Sequence, residues 1–160
     1  MNATASYDQL ERQIHELLAE ETDFIANAGN FAAFVYHELP DVNWAGFYLA
    51  TPSGDLSLGP FCGRPACTRI AAGRGVCGAA AAQRSTLVVD DVSSFADHIA
   101  CDVASRSEIV VPLVIDGTFA GVFDCDSPRL ARFGDSDRAG IERLVKAFSE
   151  SVRLPERFAR

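Results

Sequence analysis

The order of elements legible in this sequence predicts an α+β layer fold, with a mainly antiparallel central sheet and the N- and C-terminal helices packed on one of its faces. Three observations predict it. Apolar stripes at helical spacing lie near both ends: Leu10, Ile14, Leu17 and Leu18 early, and Ile141, Leu144, Val145, Phe148 and Val152 late. Between them, strand-like runs are joined by short turn signals rather than by long crossover helices, so hairpins dominate. The clearest of these signals is Asp116-Gly117, set between two apolar runs.

Taken in order, the first segment runs from Tyr7 to Leu39. Ser6 followed by Gln9 is a capping-box start. Gly29 separates the first stripe from a second containing Phe31, Phe34 and Val35, so the segment reads as two helices, or one helix broken near Asn27–Gly29, ending before Pro40. Asn43 to Leu49 is aromatic and strand-like. Pro52-Ser53-Gly54-Asp55 is a turn, and Leu56 to Gly59 reads as the partner strand. Gly59 to Pro65 reads as a proline- and glycine-rich loop. Val76 to Gln83 is a short alanine-rich helix and Thr86 to Val89 a short strand. Asp90 to Ala104 is irregular, with room for one helical turn. Ser107 to Ile115 and Thr118 to Cys125 form the Asp116-Gly117 hairpin, and Gly134 to Val152 is the last helix.

With 160 residues the chain fits one domain, 1–160, with 1–5 and 154–160 expected to be loose. A chain of this size buries roughly 70% of its unfolded surface and needs no staples. The net charge of −8, without a lysine or arginine cluster, argues against a nucleic-acid partner. The polar start, Met1 to Ser6, is unlike a secretory signal, and no run approaches the ~18 apolar residues of a membrane span, so a cytoplasmic location is expected. Five cysteines in such a chain call for packing, metal or redox chemistry, because structural disulfides are rare in that compartment.

No two of Cys62, Cys67, Cys77, Cys101 and Cys125 are separated by two residues, the usual spacing of a structural zinc site, so neither a metal nor another cofactor is expected. His98 and Cys101, and separately Pro65-Ala66-Cys67, supply only fragments of known ligand sets. Cys67, Cys77 and Cys101 all fall at loops or helix edges. Gly73 to Gly78 reads as a helix start, where backbone N–H groups and the dipole lower a thiol pKa, with Arg69 or Arg74 able to help. Asp124 and Asp126, two apart on a strand, share a face with Ala120 and Val122, while Cys125 points the other way. The turn pairs residue 115 with 118, hence 109 with 124 and 107 with 126. Strict pairing therefore sets Glu108 on the face away from the two aspartates, and it joins them only through a bulge or twist. Trp44 and Tyr48 share a strand face and are candidate walls of a small pocket.

Gly59-Pro60-Phe61, Pro65 to Ile70, Gly73 to Gly78, Asp91-Val92, His98 to Asp102, Ala104 to Pro112 and Gly121 to Ser127 closely resemble the free methionine-R-sulfoxide reductases, which are stand-alone GAF domains. The resemblance runs from the first helix to the last, and its His98–Asp102 and Ser105–Pro112 stretches are highly specific. It implies that Cys101 is the catalytic cysteine and that Cys67 and Cys77 are the thiols that form disulfides with it. It implies that Glu108, Asp124 and Asp126 hold substrate and assist catalysis, with Trp44 and Tyr48 as pocket aromatics. It further implies a homodimer recharged by thioredoxin or a similar dithiol donor.

Two positions depart from the family pattern. Cys62 stands where glutamine is common, on what reads as a flexible loop five residues before Cys67, and so is open to pairing with it or to extending the relay. Cys125 stands where an aliphatic residue is usual and is expected to be an inert core thiol. The competing expectation is a GAF domain that senses a small molecule without catalysis. It leaves the cysteine set without a purpose.

Overall fold

The computed structural model describes residues 6–97 and 103–156. Among these, the elements are α1 (Tyr7–Leu18), α2 (Phe24–Glu38), β1 (Trp44–Ala50), β2 (Leu56–Gly63), β3 (Arg69–Ile70), α3 (Gly75–Gln83), β4 (Leu87–Val89), a 3₁₀ turn at Val92–Ser94, β5 (Ser107–Ile115), β6 (Thr118–Ser127) and α4 (Asp135–Ser151). The strands form one six-stranded sheet in the order β3-β2-β1-β6-β5-β4, with every pair antiparallel. This is the α+β layer fold the pattern predicts.

Helices α1, α2 and α4 cover one face. Their stripes meet Ala45, Phe47, Leu49, Ile109, Val111, Leu113, Phe123 and Cys125 from the sheet. At the centre Phe31 contacts Phe47, Phe123 and Phe148, with ring centroids 5.0–5.7 Å apart. Leu154, in the stretch expected to be loose, also packs against this core. Tyr7 donates to Asp137 at 2.7 Å, and Arg132 pairs with the same carboxylate at 3.0 Å, which ties α1 to the start of α4. Helix α3 lies on the opposite face, where Val76, Cys77 and Ala80 pack with Trp44, Tyr48, Val110 and Val122.

Local chemistry explains most boundaries. Ser6 caps α1 by accepting from Gln9 N. The break in the first helical segment lies earlier than Asn27–Gly29: α1 stops at Leu18, and Asp23 starts α2 by accepting from Ala26 N at 2.8 Å. Asn27 is inside α2, where its side-chain amide donates to the Glu21 carbonyl and stitches the corner shut. Gly29 has open space around it and needs no break. Asp116 and Gly117 both have positive φ, as a type I′ hairpin requires.

The stretch from Gly59 to Gly63 is strand rather than loop. β2 continues through Pro60 because the β1–β2 register shifts between Gly46 and Tyr48, leaving a bulge that tolerates a residue without an N–H. Cys62 is thereby held on a strand opposite Ala45, which belongs to the helix-side core. Paired residues share a face, so Cys62 points toward the helix side of the sheet. It is a free thiol, and the expectation of a flexible Cys62 paired with Cys67 does not hold.

Candidate active site

The face of the sheet opposite the three long helices carries the candidate chemistry. Its key feature is a bulge in β6. From Asp116-Gly117 the pairing starts as expected, with Ile115 opposite Thr118 and Val114 opposite Phe119. It then shifts, so that Leu113 opposes Gly121 and Ala120 is the extra residue. Below the shift Val110 opposes Asp124 and Glu108 opposes Asp126. The one-residue slip turns Glu108 onto the aspartate face, and Ala120 turns away into the helix-side core instead of sharing that face with Val122.

Gly121 makes this geometry possible. Its φ is +146°, and a Cβ there would stand 2.1 Å from the Tyr48 carbonyl oxygen on β1. Only glycine lets the two backbones approach so closely.

On β1, Trp44 opposes Asp126 and Tyr48 opposes Val122, so both aromatics share the acidic face. Phe61, Trp44 and Tyr48 stack in series, with centroid separations of 5.3 and 5.8 Å. The polar ends of Trp44 and Tyr48 hold the loop after β2: Trp44 Nε1 donates to the Arg64 carbonyl at 3.1 Å, and the Tyr48 hydroxyl donates to the Cys67 carbonyl at 3.0 Å. The aromatic wall therefore positions the Cys67 loop as well as the pocket. Cys67 is disulfide-bonded, while Cys62, Cys77 and Cys125 are free. Cys101 and the rest of 98–102 lie outside the described residues.

Cys77, on the first turn of α3, faces the acids. Its Sγ is 3.9 Å from Glu108 Oε1, and Sγ with one oxygen each from Glu108 and Asp124 all lie within 4.8 Å of one another. Glu108 and Asp124 are each 6% exposed, and Asp124 Oδ1 has no hydrogen-bond partner among the described residues. Burial raises the Glu108 carboxyl well above the ordinary carboxylate range, helped by the charge of Asp126. Burial likewise raises Asp124, with Glu108 the next cause. Both shifts favour the protonated acid, the form a general acid must supply.

The same environment overturns the expectation of a low-pKa Cys77. The helix start is present, but burial dominates, and Asp124, Glu108 and Asp126 push further the same way, so the thiol is raised well above its usual value. Arg74 lies at the surface, 3.6 Å from Asp97. Cys77 is thus held as a protonated thiol rather than a thiolate. Cys125, on the helix side, is raised by burial and is surrounded by the hydrocarbon core, as expected of an inert thiol.

Residues 13–152 match the family model described as GAF domain. The chain is 49% identical over 145 residues to the free methionine-R-sulfoxide reductase of Escherichia coli, covering 91% of this chain and 87% of that protein. It is 37% identical over 158 residues to the free methionine-R-sulfoxide reductase of Saccharomyces cerevisiae, covering 94% and 88%. Among solved structures, free methionine-R-sulfoxide reductase from Neisseria meningitidis in complex with its substrate superimposes with a TM-score of 0.87 at 44% identity, over 94% of this chain and 95% of that one. The bulged acidic face thus sits in a fold whose sequence relatives span nearly its whole length, and the chain belongs to the GAF domain family and, within it, to the free methionine-R-sulfoxide reductases.

Proposed function

We propose that this chain reduces free L-methionine-(R)-sulfoxide to L-methionine, with Cys101 as nucleophile and Cys67 as the thiol that resolves it. The observation that carries the reading is the convergence of Glu108, Asp124 and Asp126 with Trp44, Tyr48 and Cys77 on one bulged sheet face. A free amino acid brings an α-ammonium, and clustered carboxylates bind one by charge-assisted hydrogen bonds. The partnerless Asp124 Oδ1 is a ready acceptor for such a donor. Methionine within a peptide lacks the ammonium and would leave the acids unpaired.

The Cys101 thiolate attacks the sulfoxide sulfur. The oxygen passes to Cys101, which becomes a sulfenic acid, and methionine leaves two electrons richer. Glu108, whose carboxyl is raised by burial and by the charge of Asp126, supplies the proton to the sulfoxide oxygen. Cys67 then condenses with the sulfenic acid, forming a disulfide and releasing water, and an external dithiol of the thioredoxin kind restores both thiols by becoming a disulfide itself. That Cys67 holds a disulfide while Cys62 and Cys77 are free supports Cys67 as the resolving thiol. Cys77, a protonated thiol against Glu108, serves as a second partner for Cys101 and as a neighbour that keeps Glu108 in place. The family resemblance supports a single-domain homodimer working in the cytoplasm. Among the described residues no helix is long and apolar enough to cross a membrane.

Methionine release from free methionine-R-sulfoxide, with dithiothreitol as reductant, tests the reading. Activity is expected in the unaltered chain and none in Cys101→Ser. N-acetylmethionine-R-sulfoxide, which lacks the ammonium, is expected to react roughly 10⁴-fold less efficiently. An inactive unaltered chain, with R and S forms both tried, would replace this reading with a ligand-sensing GAF domain.

A further inference from the structure

We propose that Cys77, Glu108 and Asp124 form a binding site for a thiophilic divalent cation of the zinc class, and that a cation held there excludes the sulfoxide. The exclusion rests on the function proposed above; the binding does not.

The three side chains come from α3, β5 and β6, far apart in sequence, so no ligand spacing announces them. Packing brings one sulfur and two carboxylate oxygens within 4.8 Å of one another. Zinc–sulfur and zinc–oxygen bonds of about 2.3 and 2.1 Å at a tetrahedral angle set the two ligand atoms about 3.6 Å apart. Cys77 Sγ and Glu108 Oε1 stand 3.9 Å apart, so this pair needs to close by only a few tenths of an ångström.

A second observation is independent of that clustering. Asp124 Oδ1 is a buried acceptor with no donor, which marks a place where a positive group is missing. Cys77, Glu108 and Asp124 are 4%, 6% and 6% exposed, so the site is narrow without being sealed. The side chains that act on them are one another and Asp126, all acidic or thiol, and one backbone N–H, that of Cys125, donates to Asp124. Binding releases the Cys77 thiol proton, and any proton on the two carboxyls, to solvent, and the cation offsets the charge of the thiolate and carboxylates left behind.

The donor set also selects the metal. Calcium takes six to eight oxygens and magnesium a near-octahedral oxygen shell, which two carboxylates and a thiol do not supply. Copper(I) favours thiolate and thioether alone. One sulfur and two oxygens, with a fourth position for water, suit zinc, cobalt(II) and cadmium. The cation would occupy the acids proposed to receive the substrate ammonium, so metal and sulfoxide compete.

The test is an anaerobic titration of the fully reduced full-length chain with cobalt(II), read by absorption. We expect one equivalent to bind with visible d–d bands of a low-coordinate site and a near-ultraviolet thiolate-to-cobalt band, both bleached by added zinc. Cys77→Ser should abolish the thiolate band. Asp124→Asn should weaken binding by about tenfold or more. Cys62→Ser, Cys67→Ser and Cys101→Ser should keep the band. No thiolate band in the unaltered chain, or one that survives Cys77→Ser or is lost in Cys101→Ser, overturns the site. Free methionine-R-sulfoxide should raise the apparent Kd for cobalt, and a Kd unmoved by saturating sulfoxide overturns the exclusion alone. Because the spectrum requires no turnover, failure of the reductase assay leaves this result intact.

Discussion

Strand β6 serves two faces with alternate residues, and the two faces follow opposite rules. Phe123 and Cys125 enter a largely hydrocarbon core with Phe31, Phe47 and Phe148, where burial is stabilising. Asp124 and Asp126, one residue away, meet Glu108, Cys77 and two aromatics whose polar ends already bond a loop. There burial raises the pKa of Glu108, Asp124 and Cys77 and leaves an acceptor without a donor. The helix side stabilises the fold, and the acid side draws on that stability to keep groups in states that water would not favour. Each side should therefore break in its own way.

The largest stability loss is expected on the helix side. Phe31 is fully buried at the meeting point of four rings. Phe31→Ala should lower unfolding stability by about 3–5 kcal/mol, since it removes the ring and leaves a cavity. The folded fraction should keep its KM for sulfoxide. Urea unfolding monitored by circular dichroism, with kinetics on the folded fraction, reads both. A KM that rises in step with the stability loss would show that the two faces are not separable.

Next in size is Glu108→Gln, which should affect turnover on the acid side and stability in a pH-dependent way. Removing a general acid costs about 10²–10⁴-fold in kcat, with KM changed less. A rise in KM alone would sink the proton-donor role. The pH signature follows from the direction of the shift. Glu108 and Asp124 are raised in the folded state, so that state keeps protons the unfolded chain releases at about pH 4. Their contribution to stability is present below that range and is lost as pH rises through the raised values. The unaltered chain should lose stability as pH climbs above about 4, and Glu108→Gln should flatten that slope because one of the two titrations is gone. Urea midpoints across this range check it, and parallel slopes count against a protonated Glu108.

The helix side was legible in the sequence because its signals are local and periodic. Leu10, Ile14 and Leu18 repeat at helical spacing, and Asp116-Gly117 announces its own turn. The acid side was legible only in its residue types. Glu108, Asp124 and Asp126 stand out as candidates, but their convergence depends on one unpaired residue, Ala120. Gly121 inside an apolar strand run is the sequence's trace of that bulge, since an interior glycine marks a close backbone approach. Pro60 misleads in the opposite sense. It reads as loop, yet a bulge keeps it in β2 and holds Cys62 opposite Ala45. The meeting of Cys77 with Glu108 is a tertiary fact, as is the balance of burial over helix dipole at that thiol. Neither has a local signature.

The smallest expected effect separates two cysteines that look alike by burial. Cys125 and Cys77 are both free, buried and raised in pKa, but they lie on opposite faces of the sheet. Cys125→Ser places a hydroxyl among hydrocarbon side chains and should cost about 1–3 kcal/mol of stability through its unsatisfied polar group. It should leave kcat and KM of the folded protein unchanged, because its side chain points into the helix-side core, away from the face that carries Glu108 and Asp124. Cys77→Ser places a hydroxyl where Glu108 can accept its proton, so its stability cost should be smaller, while kinetics should change through Glu108. Unfolding midpoints and steady-state kinetics on the two variants give four numbers that must cross: stability lower in Cys125→Ser, activity lower in Cys77→Ser. Equal stability losses with equal kinetics would mean that burial alone governs both thiols, and that the acid face imposes no chemistry of its own on Cys77.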